Sequence, residues 1–398
     1  MKNLFNDGLL SVIVLELMIG GSGRFLEVGS VTARMLLYVL AMIYSLFLFA
    51  RGTVINKYYI NLTILFFILS SFSLLIGLFN HADPNLIWED LKQLLYFPMI
   101  IFFSIVINTY AKVVKVSYLI KLSSIVLLVS YLSVLLAVQL GVIPFNVLYD
   151  FMSDSDQFVF RGETGFVYRG FIVLCFGVFF FVLEKHILSK IMGGFMFIGI
   201  VLTFTRGFIY STILVLVSYL AYFNLKTKNL LNVILLIMLP SVIAASFLSW
   251  FLETLGDKGE SDSVRLENIQ QVLDGIDNTS FFIGHGLGVG VEIRPVHMEI
   301  SYLEIFHKQG VLGLIFWTCI LLILIIKFTS ACRHGNNLIA TSFFLSSIFV
   351  FIQSLTNPYL NNPIGMSIII ISIVCLDVLS KYSNSEETNE NQRLHGHI

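Results

Sequence analysis

Two arginines, two bases and a ring of polar residues are the parts of this chain that could do chemistry. Arg206 stands in Thr203-Phe204-Thr205-Arg206-Gly207 at the edge of an apolar run, and Arg265 opens a helix in Asp262-Ser263-Val264-Arg265-Leu266-Glu267. A guanidinium presents a planar fork of donors that matches phosphate oxygens two at a time, and a helix N-terminus adds backbone N–H groups for an anion. Both arginines are therefore read as diphosphate contacts. The competing readings are a side chain reaching to the lipid headgroups for Arg206, and an ion pair with Glu260, Asp262 or Glu267 for Arg265. His297 and Glu299 stand either side of Met298, just before another apolar run. Either could accept the proton of an attacking hydroxyl; a surface histidine and a helix-capping carboxylate are the plain alternatives. Arg161 and Arg169, with Glu163 and Tyr168 between them, are candidate anion or sugar contacts, as are His285, Gly286 and Tyr302. His285 and His307 are weaker candidates for the base. Glycine recurs at every second position of Gly284-His285-Gly286-Leu287-Gly288-Val289-Gly290, which permits close backbone approach. It is not a dinucleotide fingerprint, because no strand-helix-strand pattern surrounds it, and a plain flexible turn explains it equally well. The expected chemistry uses neither metal nor cofactor.

The elements that must hold these residues are of membrane length. The 398-residue chain is 57% hydrophobic and 12% charged, with mean hydropathy +0.88, where a soluble domain carries about 25% charged residues. The apolar runs are continuous, which predicts helices and argues against the alternating strands of a barrel. Candidate spans are 8–22, 31–50, 59–78, 93–109, 117–139, 169–184, 188–205, 207–223, 230–251, 299–326, 338–356 and 363–380. The predicted fold class is all-α: a polytopic helix bundle of about twelve spans in the bilayer, with a large outer loop that contains a short amphipathic helix. A net charge of -1 gives no reason to expect a nucleic-acid partner. Cys175, Cys319, Cys332 and Cys375 form no CxxC pair, so neither a disulfide framework nor a zinc site is indicated. The N-terminus could pass for a signal peptide, but the many spans that follow favour an uncleaved first span.

Basic residues order the chain across the membrane. With the N-terminus in the cytoplasm, the short inner loops carry Arg51, Lys57, Lys112, Lys115, Lys121, Lys185, Lys190, Lys226, Lys228, Lys327 and Arg333, and the outer loops carry most carboxylates. Arg161, Arg169, Arg206, Arg265 and Arg294 fall on the outer side against that rule, so they are left to pair with carboxylates or bind an anion. The organisation is then 1–251 as the first nine spans, 252–298 as a large periplasmic loop, 299–380 as the last three spans and 381–398 as a disordered cytoplasmic tail. Inside the large loop Val264, Leu266, Ile269, Val272, Leu273 and Ile276 recur at helical spacing, which predicts an amphipathic helix on the membrane face. Trp88 and Tyr302 read as interface aromatics.

Taken in order, these features resemble the O-antigen polymerase and O-antigen ligase superfamily of bacterial envelope proteins. The resemblance lies in the twelve-span layout with a late outer loop and in Thr205-Arg206-Gly207, where the family carries Ser/Thr-Arg-Gly. It extends to Ser263-Val264-Arg265-Leu266, to Phe282-Ile283-Gly284-His285-Gly286-Leu287-Gly288, and to Glu299-Ile300-Ser301-Tyr302-Leu303-Glu304-Ile305-Phe306 followed by Gly310 and Gly313. The last stretch is similar to the family's His-Asn-x-Tyr-Leu segment but has Glu299-Ile300 where ligases have the histidine, with His297 two places earlier; this favours the polymerase branch. The resemblance implies a donor glycan on undecaprenyl diphosphate and attack by a sugar hydroxyl of the next lipid-linked repeat unit. It also implies diphosphate charge neutralised by Arg206 and Arg265, proton removal by His297 or Glu299, inversion at the anomeric carbon, and a bacterial inner-membrane location with a periplasmic site. A separate chain-length regulator is an implied partner. The ligase, with lipid A core as acceptor, is the alternative. A transporter is a further one, but it calls for mid-membrane charges and related halves; here Glu16 and Asp377 are the clearest such charges.

Overall fold

The computed structural model describes residues 2–21, 23, 27–28, 31–153, 157–161, 165–226 and 259–382. In chain order the elements are α1 (Lys2–Ile19), β1 (Glu27–Val28), β2 (Val31–Thr32), α2 (Ala33–Ala50), α3 (Lys57–Phe79), α4 (Pro84–Leu94), α5 (Met99–Val106), α6 (Tyr110–Gln139), α7 (Phe145–Ser153), β3 (Phe158–Arg161) and β4 (Gly165–Tyr168). They continue with a 3-10 turn (Arg169–Phe171), α8 (Ile172–Val182), α9 (Ile187–Leu202), α10 (Arg206–Lys226), α11 (Gly259–Asp274), α12 (Asn278–Ile283), α13 (Ser301–Arg333), α14 (Asn337–Gln353) and α15 (Pro363–Leu379). Among the described residues, α2, α3, α6 and α13 are long and apolar enough to cross a membrane, and shorter apolar helices accompany them. The fold is a mostly helical, multi-pass bundle. The expected twelve spans are not reached as twelve long helices among the described residues, and the candidate span 230–251 lies outside them.

Local chemistry explains where helices start and break. Asp83 caps α4 by accepting from the Asn85 amide, with Pro84 at the first helical position, where its missing N–H costs nothing. Asn362 and Pro363 do the same for α15. The expected single span 93–109 is divided between α4 and α5 by a turn that contains Pro98, because proline cannot donate to the preceding turn. The expected span 299–326 belongs to α13, which kinks at Gly310 (φ 63). The segment 140–168, expected as one outer loop, contains α7 and the β3–β4 hairpin, paired Phe158 to Tyr168 through Arg161 to Gly165. The hairpin is tied down where the Tyr168 hydroxyl donates to Ile19 O.

Every side chain of α15 from Ile364 to Leu379 is buried, as expected of a helix that is apolar all round and sits at the centre. By contrast Leu36, Ile43, Phe49, Leu65 and Ile68 of α2 and α3 are exposed, an apolar outer surface that suits lipid rather than water. Charges inside the bundle have partners. Glu16 takes both of its contacts from the Nε of Arg34 at 3.0 and 2.9 Å, and Asp377 pairs with Lys327 and Lys381. That lysine-rich end also holds Asp7 with Lys112 and Lys115. The other end of the bundle gathers the C-terminus of α3, the N-terminus of α13 and the turns around α14 and α15, and it holds the polar centre described next.

Candidate functional site

The glycine-rich segment is a splice between helices. A Cβ on Gly286 (φ +92) would lie 2.0 Å from Gly77 N in α3, a Cβ on Gly77 would lie 2.1 Å from Leu287 O, and one on Gly284 (φ +74) would lie 2.4 Å from Gln309 N. Backbone meets backbone at each point, and only glycine fits. The kink of α13 at Gly310 leaves the carbonyls of His307 and Lys308 facing this loop, and the His285 and Gly286 amides donate to them at 2.8 and 3.1 Å. The Leu287 amide donates to Ser73 O at 3.0 Å, and the Gly288 amide to Asp90 Oδ2 at 2.8 Å. Four successive amides that an anion would need are thus engaged by protein acceptors, which gives Gly286 a packing role. The His285 ring stacks on His307, centroids 4.4 Å apart, and its nitrogens face the carbonyls of Gly275 and His307 at 3.1 and 3.2 Å.

The splice draws α4 against the first turns of α13, and four chemistry-bearing side chains meet there. Lys308 Nζ donates to Asp90 Oδ1 at 2.7 Å, to Glu304 Oε1 at 2.6 Å and to Val296 O at 2.9 Å. Glu304 Oε2 accepts from the Asn361 amide at 3.1 Å. Burial pushes the Asp90 carboxyl above its usual range; the Lys308 ammonium opposes that and Glu304 adds to it. His297 lies over the pair, with Nδ1 3.4 Å from Glu304 Oε1 and 3.5 Å from Asp90 Oδ1. The Gln93 amide donates to His297 Nε2 at 2.9 Å, so the ring proton sits on Nδ1, toward the carboxylates. Ligand-type atoms of Asp90, His297 and Glu304 lie within 4.8 Å of one another. That spacing suits a cation, and the Lys308 ammonium is the cation that fills it. These residues line a pocket with Leu94, Leu287, Ile305 and Gln309.

Next to it, Glu299 lies between two guanidiniums. Arg265 Nε donates to Glu299 Oε2 at 2.7 Å and Arg294 Nη2 to Glu299 Oε1 at 2.6 Å. All three are partly exposed. Such pairs contribute about 0–1 kcal/mol each, so stability is a weak reason for the arrangement; what it offers is a net positive group open to solvent. Arg265 is held by α11, whose Val272 packs on Val291 and Met298. The predicted apolar stripe of this helix splits: Val272 turns inward, whereas Leu266 and Leu273 are 68% and 57% exposed. Asn268 is buried on the inward side, with neither amide atom paired among the described residues.

The remaining sequence candidates fall around this centre. Arg206 is the first residue of α10, after Phe204 at φ +50, a left-handed turn that is strained for a side chain of that size. A Cβ on the adjacent Gly207 would lie 2.6 Å from Gln353 Nε2, and Gln353 Oε1 accepts from Ser211 at 2.8 Å. The turn after Gln353 joins the two regions, since Asn357 O accepts from Ser301 at 3.1 Å and Asn361 reaches Glu304. Arg169 opens the 3-10 turn. Burial raises the Tyr359 hydroxyl above its usual range, and the Arg169 charge draws it back. Arg161 pairs with Gly165 in the hairpin; its side chain lies outside the described residues. The Tyr302 hydroxyl donates to Phe351 O at 2.8 Å. Asp90, Gln93, Glu304, Lys308 and Asn361 lie in this centre and were not singled out by the sequence reading, which had Arg294 only as one of the outer arginines left to pair with a carboxylate or bind an anion. The available signal was Glu304 and Lys308 one helical turn apart inside an apolar run, since ionisable residues in a span are functional by default.

Fold and site together define a multi-pass helical membrane protein with its buried polar machinery at one end of the bundle. No family model matches the chain. It is, however, 30% identical over 386 residues to the O-antigen polymerase of Shigella flexneri, an alignment that covers 95% of this chain and 96% of that protein. The chain belongs to the O-antigen polymerase family.

Proposed function

We propose that this protein polymerises lipid-linked repeat units at the periplasmic face of the bacterial inner membrane, moving the growing glycan from undecaprenyl diphosphate onto the next repeat unit. The observation that carries the mechanism is His297, seated between Gln93 and the Asp90–Glu304 pair, beside the Arg265–Glu299–Arg294 group. With Nδ1–H directed at carboxylates, Nε2 is the atom that takes a proton, the geometry of a histidine base backed by a carboxylate. Gln93 marks where the acceptor hydroxyl would dock. The hydroxyl oxygen forms the new bond to the anomeric carbon from the side opposite the leaving group. The bond to the diphosphate breaks with its electron pair on the diphosphate oxygen, and the hydroxyl proton passes to His297 Nε2. The configuration inverts. Arg265, Arg294 and Arg206 neutralise the departing charge, usually a large term in catalysis. Glu299 is the weaker candidate for the base, because both of its oxygens already face guanidiniums; its role is to hold them. A tethered ammonium where a metal would sit supports a metal-independent reaction.

The test is reconstitution of the purified protein in vesicles with a polyprenyl-diphosphate-linked repeat unit, with and without a chelator. Growth of a ladder with release of polyprenyl diphosphate, unaffected by the chelator, is expected. Transfer of preformed glycan to lipid A core without elongation would establish a ligase instead. A chain-length regulator is expected to alter only the ladder's length distribution.

A further inference from the structure

We propose that Lys308 is the positioning residue for the base: a tethered cation that holds Asp90 and Glu304 together under His297 and pins the backbone that carries the imidazole. The inference rests on the reading of His297 as the base.

The first support is the count of hydrogen bonds. The three N–H donors of Lys308 meet three acceptors at 2.6–2.9 Å, and the third is Val296 O, the residue that leads into His297. One side chain therefore fixes both the carboxylates and the loop. The second is burial. Lys308 is 4% exposed, and a buried ion pair is often no better for stability than apolar residues of similar size, so folding alone is a weak reason to keep it. The third is charge. Asp90 and Glu304 are both within 3.5 Å of His297 Nδ1. With Lys308 between them they present the net charge of one carboxylate, as a base-backing acid should. Without Lys308, two uncompensated carboxylates would favour the doubly protonated ring, which is not a base. The other charged groups near the imidazole are Glu299 with Arg265 and Arg294, a partly exposed group of net charge +1 that is the same in wild type and in the variants below. His307 stacks on His285. Lys308 thus acts through its partners rather than by touching substrate.

The experiment measures kcat, donor KM and the pH dependence of kcat for the full-length protein in vesicles, for wild type and for Lys308→Met, Asp90→Asn with Lys308→Met, and His297→Gln. Lys308→Met should lower kcat about 100-fold, leave donor KM unchanged and move the acid limb of the kcat profile up by at least about one pH unit. Wild-type kcat, or a loss of kcat with the limb unmoved, would overturn the proposal, since a merely structural residue changes amplitude alone. If Lys308→Met does not accumulate as folded protein, the double variant is read, because it restores the charge count while removing the tether to Val296. A kcat at least about tenfold down with the limb at its wild-type position supports the proposal; wild-type kcat overturns it. Wild-type polymerisation by His297→Gln would instead bring down the underlying reading of the base.

Discussion

Gly286→Ala is the sharpest test of the loop that organises the site. The added Cβ would lie 2.0 Å from Gly77 N, 2.5 Å from Gly77 Cα and 2.7 Å from Ile76 C, all backbone atoms that cannot swing aside, on a residue at φ +92. Forcing extra atoms into a packed interior costs about 1–3 kcal/mol, and holding a non-glycine residue in that region of backbone space costs about 1–3 kcal/mol more. The expected destabilisation is therefore about 2–6 kcal/mol. Gly194→Ala is the matched control: a helical glycine with nothing within 4 Å of its new Cβ, where alanine gains about 1 kcal/mol in helix propensity. Each protein is purified in the same detergent, and loss of the monodisperse peak is followed with temperature. At roughly 2–4 °C per kcal/mol, Gly286→Ala should lose its fold at least about 4 °C below wild type, and Gly194→Ala should equal or exceed wild type. Polymer formation should fall with Gly286→Ala, because the same loop presents the Gly288 amide to Asp90. A wild-type melting point for Gly286→Ala would refute the splice between α3 and α13 and free these amides for a ligand.

His297→Gln should lower kcat by about 10²–10⁴-fold with donor binding retained, the usual share of a general base; a normal ladder from a complemented deletion strain would exclude it as the base. Arg265→Ala and Arg294→Ala should each cost about 10²–10³-fold in kcat, as removal of a donor from a developing anion does, whereas Glu299→Gln should cost less than about tenfold. The reverse order would make Glu299 the base. Asn268→Leu should raise the melting temperature, because it removes a buried amide without partners, a penalty of about 1–3 kcal/mol; a lower value would mean the amide is paired in the membrane-embedded protein. Asp277 caps α12 through the Ser280 and Thr279 amides, which hold its carboxyl below the usual range. A depressed carboxylate stabilises above its unfolded value and loses that contribution as pH falls through the folded one. Amide exchange in 278–283 should therefore rise only on acidification below the ordinary aspartate range, and faster exchange at neutral pH would contradict the cap.

The class of fold was legible because membrane-length apolar runs are a one-dimensional signal, and out-of-place charges named several residues of the candidate site. Arg206 does begin a helix, and Arg265 reaches Glu299, two residues along the chain from His297. What could not be read were pairings across long separations. Asp90 and Lys308 are 218 residues apart, and nothing near Asp90 in the chain marks it as more than a polar residue of a short helix. Arg294 looked like one of several outer arginines until Glu299 was seen to bridge it to Arg265. The glycine repeat was ambiguous for a physical reason: glycine serves a phosphate cradle and a backbone crossing equally well, and only the partners of the amides decide between them.

Two candidate bases on either side of one methionine would look redundant, and the structure separates them by what each one faces. Met298 is buried against Val272 and Val291, so the chain is anchored between them and His297 and Glu299 are sent to different neighbours. His297 turns Nδ1 toward a recessed pair of carboxylates that a lysine bridges, and Nε2 toward Gln93. Glu299 turns toward two guanidiniums, which occupy both of its oxygens. In the proposed mechanism, proton acceptance and anion stabilisation are thus kept on adjacent but distinct groups. A glycosyl transfer between two lipid-linked substrates needs that division, because the acceptor hydroxyl and the departing diphosphate lie on opposite sides of the anomeric carbon.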